Sequence, residues 1–339
     1  MNFVIYTHWN QLPDSASILF AQAERDSLFL SRTWFENLSA HALANQQVIR
    51  LACVVDNERV LAVLPMLNSP RDGLCALSNN FTTLFSALII RNNSHTAILA
   101  CLAAGLSQMD VNSIHLEPID ADDVNVASLC QCMELCGFKS HTYFRFYNWS
   151  HPVDSQGFDE YMAKRPGNIR NLITRKKRKL EREHAYDIRL YMDADIERAL
   201  ADYQVIYQSS WKANEFYPEF TPNIVKRFSR LGWLRMAILY IEKNPVAAQI
   251  WFVVHGKANI YRLAYDPRWK SYSPGSILTE YLMRYVIDTD KVSEIDYLTG
   301  NERYKQDWMT VRKERLGMRF VKQPVQKNIF SRMYQRLRH

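Results

Sequence analysis

The chain lacks any long apolar run. Its most apolar patches, Leu84 to Ile90 and Ile98 to Leu106, fall well short of the roughly 18–20 residues that a membrane-spanning helix needs. The first residues, Met1-Asn-Phe-Val-Ile-Tyr-Thr-His8, show neither a charged leader nor the apolar core of a signal peptide. A cytoplasmic protein is expected. Glycine is scarce, 10 residues in 339, and no repeat period is visible, which argues against repeat architectures. The six cysteines are Cys53, Cys75, Cys101, Cys130, Cys132 and Cys136. On a helix Cys132 and Cys136 share a face and Cys130 turns away from them, and no partner cluster stands at metal-like spacing elsewhere. Buried free thiols and no metal are expected. A Ser nucleophile elbow, a zinc-helix motif and a Walker loop are all missing, which argues against a hydrolase, a zinc enzyme and an NTPase.

What is present is an ordinary globular composition, 47% hydrophobic and 23% charged, in a length that suits two domains. The net charge of +7 is unevenly spread. Between Lys164 and Arg182 nine basic residues stand against the single acid Glu181, and from Arg312 to His339 nine more stand against Glu314. Such patches attract nucleotides, CoA phosphates, tRNA or anionic headgroups. The second patch reads as a solvated charged tail.

Periodicity suggests an α+β protein that repeats one plan twice. In the first half, helix Thr33 to Ala42 precedes a hairpin of Val48 to Val55 and Val60 to Leu67, joined by the polar turn Asp56-Asn57-Glu58. Strands at Leu74 to Leu77 and Leu84 to Ile90, a helix from His95, a strand at Ser113 to Glu117, a helix at Val124 to Leu135 and a strand at Phe138 to Trp149 follow. In the second half, helices cover Phe158 to Arg182 with a break at Pro166-Gly167, then Ile196 to Ala213 and Pro222 to Leu231. Strands follow at Leu234 to Ile241, Ala247 to Val254 and Ile260 to Tyr265.

The most informative stretch comes next. Tyr261-Arg262-Leu-Ala-Tyr-Asp266 leads to the turn Tyr272-Ser273-Pro274-Gly275-Ser276 and then to a helix marked by Ile277, Leu278, Tyr281, Leu282, Tyr285 and Val286. Asp296-Tyr-Leu-Thr-Gly300 and Tyr304-Lys305-Gln-Asp-Trp308 complete it. A turn feeding a helix offers unpaired backbone N–H groups and a positive dipole end to a phosphate-bearing donor. An ordinary β–α–β unit would show the same spacing.

Tyr-Ser-Pro-Gly, followed after a helix by Asp-x-x-x-Gly-x-x-x-Tyr-Lys-x-x-Trp, resembles the BioF2-like acetyltransferase domain of the GNAT superfamily. That domain is found in CelD-type cellulose-biosynthesis proteins and in relatives of the FemAB peptidyltransferases. The basic segment Asn168 to Glu181 resembles the helix that opens the domain, and Val246-Ala-Ala-Gln249 with Tyr261 to Asp266 resembles its central hairpin. The likeness covers about residues 160 to 320. It implies two GNAT-like modules in tandem, each a mixed sheet flanked by helices. Residues 1–152 would be a scaffold or acceptor-side module without the donor turn, 153–325 the acetyltransferase module, and 326–339 a basic tail.

The resemblance implies an acyltransferase with acyl-CoA, most simply acetyl-CoA, as donor. The acceptor would be an amino sugar, a polysaccharide or another cell-envelope precursor, either a small molecule or linked to a lipid or sugar carrier. Donor contacts would come from Tyr272, Ser273, Pro274, Gly275 and Ser276. Pro274 removes one N–H where the usual GNAT turn has glycine, so aminoacyl-tRNA stays open as donor. No heptad run like the FemAB coiled-coil insertion is visible. A silent binding protein, docked by its basic face on anionic membrane at the inner surface or on a synthase complex, is the third reading. Asp266, Asp296 and Tyr304 are acid–base candidates and Lys305 an anion contact. Arg170, Arg175, Arg178, Trp211, Gln249, Arg262 and Trp308 are substrate-contact candidates. Five have a structural alternative: Asp266 as a loop cap, Asp296 as a paired strand residue, Tyr304 and Trp308 as core, Arg262 as a buried ion-pair partner. The sequence does not indicate an oligomeric state.

Overall fold

The computed structural model describes residues 1–324 apart from 45, 70–72, 92–93, 155 and 213–214, so the basic tail of 326–339 lies outside the described residues. The first half runs β1 (Asn2–Tyr6), α1 (Ala16–Asp26), α2 (Arg32–His41), β2 (Val48–Asp56), β3 (Arg59–Ser69), β4 (Gly73–Ala76), β5 (Leu88–Ile89), α3 (His95–Gln108), β6 (Ser113–Asp120), α4 (Val124–Leu135) and β7 (Phe138–Pro152). Two helices, α5 (Phe158–Ala163) and α6 (Gly167–Glu183), separate it from a second pass. That pass runs β8 (Tyr186–Tyr191), α7 (Ile196–Ser209), α8 (Phe220–Arg230), β9 (Leu234–Ile241), β10 (Asn244–Val254), β11 (Lys257–Tyr265), α9 (Pro274–Asp288), β12 (Glu294–Thr299), α10 (Arg303–Trp308) and β13 (Val311–Lys322). The architecture is two GNAT-like modules in tandem.

One continuous sheet holds both, in the order β1-β2-β3-β4-β6-β13-β7-β12-β11-β10-β9-β8. All neighbours are antiparallel except two pairs, β4 with β6 and β11 with β12, which occupy the same place in each module. The two long strands are exchanged. β13, the last strand of the second pass, lies against β6 of the first, and β7, the last of the first pass, lies against β12 of the second. β7 and β13 pair with each other from Phe138↔Lys322 to Ser150↔Val311. Each module is completed by the other's final strand.

β13 absorbs the front of the second basic patch, which the sequence presents as a charged tail. Arg312, Lys313, Arg315, Arg319 and Lys322 lie in a central strand, anchored through Met318 and Phe320 in the core. The apolar run Leu84 to Ile90 also differs from its sequence reading, since only Leu88–Ile89 pairs, with β3. The preceding residues leave the sheet, with the Phe85 amide bonded to the Pro118 carbonyl at 2.6 Å. The cysteines are free thiols, but only Cys53 and Cys132 are buried and the other four are half-buried. Among the described residues no helix is long and apolar enough to cross a membrane.

Two apolar clusters flank the sheet. The larger joins the first module to α7 and α8, through Trp34, Phe220 and Phe228 among others. The smaller packs α5, α6 and α9 on the opposite face of the second module, around Trp251, Leu282 and Trp308.

Candidate active site

β11 and β12 are hydrogen-bonded only from Lys257↔Glu294 to Asn259↔Asp296 and then part. Two irregularities cause the splay. β11 carries an extra residue at Tyr261, where Ile250 faces Arg262 but Trp251 faces Ile260. β12 shifts register against β7 between Asp296 and Thr299, with Leu298 in the left-handed region at φ 57°. A branched residue there is strained, and its surroundings must hold it. The Asp296 carboxylate accepts the Leu298 amide at 2.6 Å, and the Lys305 ammonium donates to the carbonyls of Tyr297, at 3.1 Å, and Thr299.

A cleft of about 740 Å³ opens at this splay and passes between β11 and β12. Ser273, Pro274, Gly275 and Ser276, at the start of α9, form one end. Trp211, Lys212, Arg262 and Phe81 form the other, and Tyr304, Lys305 and Trp308 line the α10 side. Ser273 caps α9 at φ 52° with Pro274 in the first turn, which forces the sharp entry. The Ser276 and Ile277 amides return to the Ser273 carbonyl at 3.0 and 3.2 Å, and Pro274 has no amide hydrogen. The turn therefore has fewer free amides than a glycine-rich one would.

The sequence-predicted residues divide into three groups. Ser273 to Ser276, Tyr304, Lys305, Trp308, Trp211 and Arg262 come together on the cleft. A second group is spent on structure. Asp266 caps the 3-10 turn Pro267–Tyr272 and forks to Arg268 at 2.6 Å, which holds its carboxyl below the usual range and leaves no free base. Gln249 is fully buried, donating to the Gly275 carbonyl and the Thr279 hydroxyl at 2.8 Å each, so it fixes the first turn of α9 and meets no substrate. The Tyr272 hydroxyl donates to Glu183 at 2.9 Å and meets His184, tying the Tyr272–Ser276 turn to the end of α6.

Asp296 also belongs there, because strand alternation turns it away from Tyr297 and the cleft. It lines a separate polar cavity of about 150 Å³ with Asn148, Asp120 and Arg315. Burial pushes its carboxyl above the usual range, against the opposing pull of the Leu298 amide. Lys305 lines the cleft, but its ammonium is committed to two carbonyls, with Glu302 at 3.5 Å, and burial lowers its pKa. An anion contact is not available from it. The third group, Arg170, Arg175 and Arg178, lies exposed on α6. Arg175 and Arg178 border an open groove of about 810 Å³.

Tyr304 is half-exposed, with its ring edge-on to Tyr297 at 5.9 Å. Burial and Glu302 push its phenol up to about 12, so it stays protonated at neutral pH. The sequence also offers the segment Trp211 to Tyr217 for the acceptor side; Trp211 and Lys212 of it line the cleft, and Glu215 stands behind the wall, 3.3 Å from Arg262. Sequence reasoning missed one wall residue. Phe81 comes from the first module, and nothing local to it points to this cleft.

The parallel pair that parts at a bulge, with a helix starting at the opening, is the arrangement of a GNAT-like fold. Residues 167–306, all within the second pass and the helix before it, match the family model described as an acetyltransferase (GNAT) domain. No curated protein matches the chain in sequence. Among solved structures the chain is similar to FemX, at 10% identity and TM-score 0.64 over 99% of this chain and 100% of that one. It is also similar to L-PGS from Bacillus licheniformis, at 10% identity and TM-score 0.53 over 89% and 94% of the two chains. A tandem GNAT protein from the clavulanic acid biosynthesis pathway aligns at 11% identity and TM-score 0.51 over 94% and 97%. At such identities the shared property is the fold.

Proposed function

We propose that the protein transfers an acyl group from acyl-CoA, acetyl-CoA in the simplest case, to an amine or hydroxyl of an amino sugar, polysaccharide or other cell-envelope precursor. The observation that carries this reading is the single cleft joining the start of α9 to the β11–β12 splay. The donor's phosphates would lie at Gly275 and Ser276, with the thioester along the unpaired edge of β11 beyond Asn259. Backbone N–H groups on that edge would steady the carbonyl oxygen as the acceptor attacks. When the C–S bond breaks, Tyr304 would protonate the departing thiolate, and the acceptor's surplus proton would leave to water. Asp296 and Lys305 act here as positioning residues, since Asp296 faces away from the cleft and the Lys305 ammonium is committed to two carbonyls.

One observation favours a polyanionic partner as well. Of the nine basic residues between Lys164 and Arg182, Arg170, Arg175 and Arg178 have no ion pair or side-chain hydrogen bond among the described residues. The others are engaged, for example Lys177 with Glu280 at 2.9 Å and Lys176 with the Ser271 carbonyl at 2.5 Å. Aminoacyl-tRNA, the CoA nucleotide or an anionic membrane face would each suit that surface.

Acetyl-CoA titration tests the main reading. A Cβ at Gly275 would meet Leu263 at 3.4 Å, so the fold accommodates it, whereas valine crowds the backbone a phosphate must approach. Gly275→Val should weaken acetyl-CoA at least tenfold, about 1.4 kcal/mol. Unchanged affinity would remove the donor from this turn.

A further inference from the structure

At the end of the cleft away from the donor turn, charge is buried and out of balance. Arg262 lies 3.3 Å from Glu215, and both side chains are largely buried, at 20% and 11% exposed. Lys212 lines the same end, and its ammonium has no hydrogen-bonded partner among the described residues, standing 6.0 Å over the Tyr207 ring. Two cations therefore share one carboxylate. Glu302 and Asp307, the acids that line the cleft elsewhere, belong to the α10 end, where Glu302 stands 3.5 Å from Lys305.

The Arg262 Nε and the hydroxyl of Tyr203 beside it are buried without a hydrogen bond and closed off from the cleft, so the guanidinium's terminal nitrogens are what Arg262 can turn to a ligand. The guanidinium cannot swing away, because it is held 4.8 Å over Phe81 and 5.0 Å over Tyr261. Phe81 is itself fixed by stacking on Phe220, 4.5 Å apart and 3° from parallel. A cation held away from water without a matched anion is costly unless something else occupies it. A fixed guanidinium fork suits a carboxylate or phosphate.

We propose that the acceptor bears an anionic group, a carboxylate or a phosphate, which Lys212 and Arg262 hold beneath Phe81. This rests on the acyltransferase reading for the word acceptor, but the anion site stands on its own geometry. Burial, and then Arg262, lower the Lys212 pKa to about 8. The ammonium form is thus present below that pH and lost above it, and anion affinity should fall between pH 7 and pH 9. Phe81 enters from the excursion between β4 and β5, so the first module contributes to acceptor selection.

The test uses the full chain with malonate and inorganic phosphate as probes, titrated by calorimetry at low salt. At least one should bind the wild type, and the preferred one tells carboxylate from phosphate. Its affinity should fall at least fivefold in Lys212→Gln and in Arg262→Gln, and also on moving from pH 7 to pH 9. Lys212→Gln removes no hydrogen bond and should fold, so it decides the matter if Arg262→Gln does not. Absence of binding by both probes, or binding indifferent to Lys212→Gln, overturns the proposal; the second result would assign the anion to α6 or the donor turn. Acetyl-CoA titrations on the same samples read the donor site separately, so failure there would overturn the transferase reading and leave the anion result intact.

Discussion

Asp296 and Lys305 hold one stretch of backbone from its two sides: the carboxylate takes the Leu298 amide, and the ammonium takes the carbonyls of Tyr297 and Thr299. That stretch is the left-handed kink by which β12 leaves β11. The Asp-x-x-x-Gly and Tyr-Lys-x-x-Trp elements are therefore parts of one clamp. Trp308 completes it, since its carbonyl accepts from the Tyr161 hydroxyl at 2.6 Å and from Arg165 at 3.0 Å.

A clamp and a general base respond differently to the same substitution. In Asp296→Asn the remaining carbonyl oxygen can still accept from Leu298 and from Asn148, so turnover should stay within about threefold, whereas loss of a general base costs ~10²–10⁴. Lys305→Met strips the donor from two carbonyls and should destabilise by about 1–3 kcal/mol and lower turnover with it. Denaturant melts and steady-state rates on both variants check this. An Asp296→Asn enzyme with native stability and a hundredfold loss of rate would make Asp296 a proton acceptor after all.

His151, near the module junction on β7, gives a pH prediction. It is buried, bonded to Thr310 at 2.9 Å and edge-on to Tyr161 at 5.0 Å. Burial, then the charge of Arg165, lowers its pKa to about 4, with Asp154 pulling the other way. A folded pKa below the unfolded value of about 6.5 means the fold favours neutral imidazole. Its contribution is intact above pH 6.5 and lost as pH falls toward 4. His151→Gln should flatten the fall in melting temperature over that window. An identical profile in the variant would assign the acid sensitivity to other groups.

The repeat of the plan, the Ser-Pro-Gly turn and α6 were legible because each is local: a period, a turn residue or a charge run. Two kinds of feature were not. β13 is masked by its own charge, since Arg312 to Arg315 read as tail although Leu316, Met318 and Phe320 alternate toward the core. Its place between β6 and β7 depends on exchange with a strand some 160 residues earlier, which no local pattern encodes. Asp296 was misread for a related reason. Its motif marks it as important, but only the kink at Leu298 shows that the importance lies in holding the backbone.

The unpaired arginines of α6 make a separate prediction. With Arg170, Arg175 and Arg178 changed to Gln, binding of a polyanion such as tRNA should weaken and its salt dependence flatten. Fewer neutralised phosphates release fewer counterions, at about 0.7–0.9 of a unit of log–log slope for each phosphate no longer neutralised. Filter binding from 50 to 200 mM salt measures it. A slope equal to wild type would return these residues to a solvated helix face.

Tyr304 is the acid of the proposed transfer. Its phenol, at about 12, is protonated across the physiological range, and it lies beside the splay where a thioester sulfur would sit. Tyr304→Phe removes one hydroxyl from a half-exposed ring, so the melting temperature should hold within a degree or two. Turnover should drop about a hundredfold, in the range for a lost proton donor, with acetyl-CoA affinity nearly unchanged, since the phosphates are held elsewhere. The pH profile supplies the sign. An acid with its pKa at about 12 is active below that value, so no loss of rate from Tyr304 should appear as pH rises from 7 to 10. A falling limb in that interval, absent from the phenylalanine variant, would mean the phenol ionises far more readily when donor is bound. Full turnover in Tyr304→Phe would give the thiolate's proton to water instead.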